Sequence, residues 1–246
     1  MTTRNDDREL ATGLLGEASS RLVRTVDGFG EGDWSEPSLL PGWSRAHVVA
    51  HLALNAEGIA RALGGLVADA GDHEPATMYD SDERRDSDIV ELAGSDPTHL
   101  RDRLLAGTTS LTDAIAAIPD ESWETRLERT PGGRRIRADS FPGMRLREIE
   151  IHHADLGASY TRADWSPVIA ANLLDAMTRR DPGDAGGFEI RPLDLDRTWL
   201  FGDGEAEYPV PVVTGPACDI AWWLTGRPTP ETLSCSHGEL PRIEGW

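Results

Sequence analysis

Apolar residues recur at three- and four-residue steps in four stretches of the first 160 residues, which restricts this part of the chain to amphipathic helices packed face to face. Residues 7 to 29 place Leu10, Leu14, Leu15, Ala18, Leu22 and Val26 on one face, and Gly28 and Gly30 close the stretch. A second helix follows Leu40-Pro41-Gly42-Trp43, with Ser44 offering an N-cap oxygen and Val48, Leu52, Ile59, Leu63 and Leu66 forming its stripe. Residues 69 to 86 are acidic, contain Gly71 and Pro75, and read as a solvated connection bordering a cleft. A third helix, broken near Gly94 to Pro97, continues through Leu100, Leu104, Leu111, Ile115 and Ile118 to Pro119. Pro131-Gly132-Gly133 marks a turn, and a fourth helix is expected from about Pro142 to Tyr160.

The texture changes after residue 160. Residues 166 to 180 read as helical, and Thr198 to Phe201 and Tyr208 to Val213 read as strands of a hairpin around Gly202-Asp203-Gly204. Gly215 to Thr225 reads as a last helix, with Pro216 in its first turn and Gly226 just past its end. The expected fold class is therefore α+β: a four-helix bundle over 1–160, followed by a small mixed α/β domain over 161–246.

Charge narrows the partners. A formal charge of −19, from 24 basic against 43 acidic residues, opposes nucleic acid and anionic membrane surfaces, and no basic stripe offsets it. All the basic residues are arginine, so Schiff-base chemistry and a lysine-dependent phosphate loop are excluded. The polar start and the lack of an apolar run near ~20 residues predict a cytoplasmic protein. A monomer or small homo-oligomer is expected. Cys218 and Cys235 fit no thiolate cage and read as structural thiols.

The chemistry-bearing residues lie on the second and fourth helices. Glu148 and His152 are four apart, so a carboxylate and an imidazole share one helical face and can reach one cation; a salt bridge is the alternative. His51 falls near the stripe of Val48, Leu52 and Ile59, where a lone histidine is ordinarily a hydrogen-bonded core residue. Together the three offer two nitrogens and one oxygen, leaving positions open as catalytic zinc requires. His47 and His153 could each replace a neighbour, and outer or solvent roles are expected for both. Two histidines and a carboxylate also suit non-haem iron, nickel or copper.

Three segments carry a resemblance. Leu40-Pro-Gly-Trp-Ser-Arg-Ala-His-Val-Val-Ala-His51-Leu resembles the signature of mycothiol-dependent maleylpyruvate isomerases and their DinB-like relatives. Arg145-Leu-Arg-Glu-Ile-Glu-Ile-His-His-Ala-Asp-Leu156 is similar to that family's second metal segment, and Gly215 to Pro228 to the end of its C-terminal domain. The resemblance implies a DinB-like bundle binding a divalent metal, zinc above all, through His51, Glu148 and His152. It also implies mycothiol as cofactor and Arg227 as the catalytic arginine, for which a helix C-cap cation is the alternative.

In that reading a low-molecular-weight thiol adds to the cis double bond of maleylpyruvate, a small dicarboxylate, and its departure leaves the trans isomer. Arg227, with Arg145 as a second candidate, would hold a carboxylate. The remaining possibilities are a mycothiol S-transferase, a non-catalytic metal-binding module and a metal-dependent hydrolase. Residues 69 to 86 and the strands after 188 are the expected walls for the sugar and inositol parts of the cofactor.

Overall fold

A computed structural model describes residues 4–67, 76–181, 186–202 and 210–243, and the chain divides into two units, Met1–Ser159 and Tyr160–Trp246. In the first, α1 (Arg4–Asp27) packs chiefly on α5 (Phe141–Asp155), and α2 (Arg45–Gly64) chiefly on α4 (Pro97–Ala117). The short α3 (Asp82–Ala93) leans on α2.

Helix α2 is the central element. Val48, Leu52, Ile59 and Leu63 are fully buried, each contributing roughly 1.5–3 kcal/mol by leaving water. Alanines and glycines let its neighbours approach closely: a Cβ on Gly107 of α4 would lie 3.0 Å from the Ala53 carbonyl oxygen. Helix α5 differs, burying Arg145, Glu150, His152, His153 and Asp155 alongside Leu146, Ile149 and Ile151. Such polar groups are costly inside unless partnered. Arg21 accordingly reaches Glu150 at 2.7 Å, and Thr25 Oγ1 meets His153 Nε2 at 2.8 Å, fastening α5 to α1.

The break expected near Gly94 to Pro97 is present: Gly94 ends α3, and Asp96 caps α4 by accepting from the Thr98 amide. Other boundaries differ from the sequence expectation. The expected connection to residue 86 instead ends at Ser81, which accepts from Arg84 N, with Asp82 and Glu83 favourable in the first turn of α3. Residues 68–75 of that connection, with His73, lie outside the described residues. Helix α5 stops at Asp155 rather than Tyr160, because Gly157 takes the left-handed φ of 61°. The Pro131 to Gly133 turn joins two three-residue strands, β1 (Arg126–Glu128) and β2 (Arg135–Arg137), too short to show an alternating pattern.

In the second unit, β3 (Phe188–Pro192) pairs antiparallel with β4 (Trp199–Phe201) and parallel with β5 (Val212–Gly215), which pairs antiparallel with β6 (Ser234–Cys235). The hairpin expected between 198–201 and 208–213 is therefore not formed. β4 and β5 flank opposite edges of β3, whose Phe188 and Ile190 are fully buried, and residues 203–209 lie outside the described residues. Helices α6 (Pro167–Met177) and α7 (Ala217–Leu224) pack on each other, and the Phe188 ring lies 5.6 Å from Trp223. Among the described residues, no helix is long and apolar enough to cross a membrane.

The close approaches around α2 are testable. A Cβ on Gly58 would lie 2.9 Å from the Met78 carbonyl oxygen, whereas one on exposed Gly16 of α1 meets nothing within 4 Å. Gly58→Ala should destabilise by about 1–3 kcal/mol and Gly16→Ala stabilise by about 0.5–1 kcal/mol, read from thermal melting midpoints. Equal shifts in both would contradict the packing.

Candidate metal centre

The start of α2 sets the first ligand. Ser44 lies at its N-cap, its Oγ 2.8 Å from His47 Nδ1, and one turn on His51 points between helices. His51 Nε2 stands 2.8 Å from Glu148 Oε2 of α5, and His152 Nε2 stands 3.4 Å from the same oxygen. The two imidazole rings meet edge to face at 4.7 Å. Among the described residues, His51, Glu148 and His152 form a group able to hold a metal ion, their ligand atoms all within 4.8 Å of one another.

Asp155, fully buried one turn after His152, takes its Nδ1 at 2.8 Å. A carboxylate there fixes the ring and leaves Nε2 facing the centre, the usual support for a metal-binding histidine. The electrostatics agree with a cation site. Burial drives the His51 pKa down to about 4 despite Glu148, so its imidazole is neutral at pH 7. Burial opposes ionisation of Glu148, but hydrogen bonds from His152 and His51 outweigh it and hold the carboxyl well below its usual range. Burial likewise disfavours charge on His152, yet its bonds to Asp155 and Glu148 reverse the balance and raise its pKa.

The structure thus brings His51, Glu148 and His152 together and leaves the neighbouring histidines out. His47 turns back to Ser44, and His153 is buried against Thr25 rather than facing solvent. Arg145 is 1% exposed and spends Nη1 on Leu52 O and Asn55 Oδ1, so it braces α5 against α2; burial lowers its pKa to about 10. Its Nη2 has no hydrogen-bond partner. In the second unit, Arg227 follows α7, donates Nη1 to Thr225 O at 2.9 Å and lies 5.9 Å from the Trp222 ring.

Three residues without an assigned role in the sequence border the ligands. Asp155 was accessible through its three-residue spacing from His152. Arg85 of α3 places Nη2 3.4 Å from His51 Nδ1 and its guanidinium 5.8 Å from the Tyr79 ring; no spacing announces a contact 34 residues away. Tyr79 is buried, which raises its hydroxyl pKa, as does the charge of Glu148.

Two imidazole nitrogens and a carboxylate oxygen, delivered by two helices of a bundle, are the donor set of an open three-ligand metal site. The comparisons agree in family. The chain belongs to the mycothiol maleylpyruvate isomerase family: the family's N-terminal domain matches residues 15–157 and its C-terminal domain residues 164–245. Crystal structures of the mycothiol-dependent maleylpyruvate isomerase and of a histidine-to-alanine mutant of it are similar over 100% of both chains. Each has 28% identity and a TM-score of 0.83. None of the curated proteins matches the chain.

His51→Ala should abolish stoichiometric metal retention, and Asp155→Asn should weaken metal binding about 10- to 100-fold, measured by competition with a chelator. Wild-type affinity in both would remove the centre.

Proposed function

We propose that this protein isomerises maleylpyruvate to fumarylpyruvate by reversible addition of mycothiol, with a divalent metal, zinc by preference, held by His51, Glu148 and His152. The observation that carries this reading is the convergence of both histidine Nε2 atoms on one Glu148 oxygen, in a chain of this family. A bound divalent cation supplies the charge that ionises a thiol, whose own pKa of roughly 8.5 leaves it mostly protonated near neutrality. Zinc suits the role because the reaction involves no redox change.

The bond changes balance without a co-reactant. The thiolate forms a C–S bond at the cis double bond, and the π electrons move into the conjugated carbonyl as an enolate. Rotation about the new single bond follows; the enolate then collapses, the C–S bond breaks and the thiolate leaves the trans product.

The chain's own part is to hold anionic groups and the developing enolate. Arg227 is assigned that role on the strength of the Leu224-Thr-Gly-Arg227 motif; a guanidinium fits a carboxylate in bidentate fashion. Arg85 is a second anion clamp. A guanidinium only donates, so its contact makes His51 Nδ1 the acceptor and puts the ring proton on Nε2. Were Nε2 to serve as a ligand, the ring proton would sit on Nδ1, which would end the contact and leave Arg85 Nη2 for a substrate carboxylate.

Metal-loaded protein should turn over maleylpyruvate only when mycothiol is present. Arg227→Ala should lower kcat by about 10²- to 10³-fold, and Arg85→Gln should chiefly raise the KM for maleylpyruvate, both with unchanged metal content. Thiol-independent turnover would overturn the mechanism. Conjugation of other electrophiles with no action on maleylpyruvate would make the protein a mycothiol S-transferase.

A further inference from the structure

We infer that the loop from Ser35 to Ser44 forms the subsite for the sugar and inositol parts of the thiol cofactor, with the Trp43 indole as its stacking platform. The inference rests on the proposed use of mycothiol and adds to it a location and a chemistry. A shallow, largely open groove of about 430 Å³ lies along this loop, a size suited to part of a small molecule. Ser35, Ser38, Ser44, Leu39, Pro41 and Trp43 are among its walls, and no lining residue is ionisable. In a chain with 27% charged residues, such a lining disfavours a dicarboxylate and suits a neutral polyol. Sugar and cyclitol rings present C–H groups to an aromatic face and hydroxyls to their edges, and this groove offers both an indole and serine oxygens.

Its position connects it to the metal centre. The Trp43 ring lies 5.8 Å from the His51 ring and 6.2 Å from His47, so one residue walls the groove and touches a metal-site imidazole. The loop is also built rather than slack. Ser38 N and Oγ both donate to Trp43 O, at 2.9 and 2.8 Å, and Trp43 N donates to Leu40 O across a turn in which Gly42 has φ 78°. Leu39 N donates to Asp155 O at 2.8 Å, and Arg45 Nε to Leu156 O at 2.9 Å. The residue whose side chain fixes His152 therefore also anchors the groove through its backbone. A preformed surface beside the ligands lowers the entropy lost on binding. It would carry the polyol while the sulfur reaches the metal.

The test uses zinc-loaded full-length protein and, as probe, the sugar-inositol part of mycothiol prepared without its cysteine, titrated calorimetrically. The wild type should bind it, Trp43→Ala should weaken binding about tenfold or more, and Trp43→Phe should restore most of it. Leu39 is 53% exposed on the rim, so Leu39→Trp should fill the groove and weaken binding without touching His51. This second variant decides the matter if Trp43→Ala loses metal or fails to fold. No binding by the wild type, or wild-type binding by Leu39→Trp together with folded Trp43→Ala, overturns the subsite. Polyol binding without thiol-dependent isomerisation would sink the proposed activity and leave the subsite standing; mycothiol-dependent isomerisation without polyol binding does the reverse.

Discussion

The candidate site depends on one shared oxygen. Glu148 Oε2 takes His51 Nε2 from α2 and His152 Nε2 from its own helix, and both histidines are almost fully buried. Buried ionic groups add little stability over apolar side chains of similar size, so a core that spends this volume on them is shaped for a site. The surroundings hold the two helices in register for it. Arg145 bonds α2 from α5, Arg21 and Thr25 secure α5 from α1, and the Ser38 to Arg45 segment is fastened to the end of α5.

Legibility in the sequence follows the range of the interaction that decides each feature. The long helices announce themselves because a buried face repeats every three to four residues, and the Glu148 to His152 spacing falls on adjacent turns of one helix. Asp155 lay in view at the same range. What stayed hidden depends on contacts between distant segments. Ser81 starts α3 five residues before the expected end of the connection and so carries Arg85 to His51, while β3 separates two runs whose spacing suggested a hairpin. Of the outer or solvent roles open to His153, burial beside Thr25 of α1 removes the solvent one, a contact no local spacing announces.

Composition and geometry meet in the use of arginine. A chain of formal charge −19 with no lysine draws all its permanently cationic side chains from arginine, and it uses them in distinct settings. Arg145 is locked in the packing of α2 and α5, Arg85 stands against the His51 imidazole, and Arg227 follows α7 in the second unit. The lining of the groove beside Trp43, within the first unit, carries no ionisable side chain.

The central claim is that the three-residue centre takes an external thiol as its additional ligand. Cobalt(II)-substituted protein titrated with mycothiol tests it directly, since thiolate ligation to cobalt adds an intense near-ultraviolet charge-transfer band. The account predicts that this band appears at one thiol per protein and is lost in His152→Ala. A near-ultraviolet spectrum unchanged by saturating mycothiol, in protein holding one cobalt per chain, would contradict it.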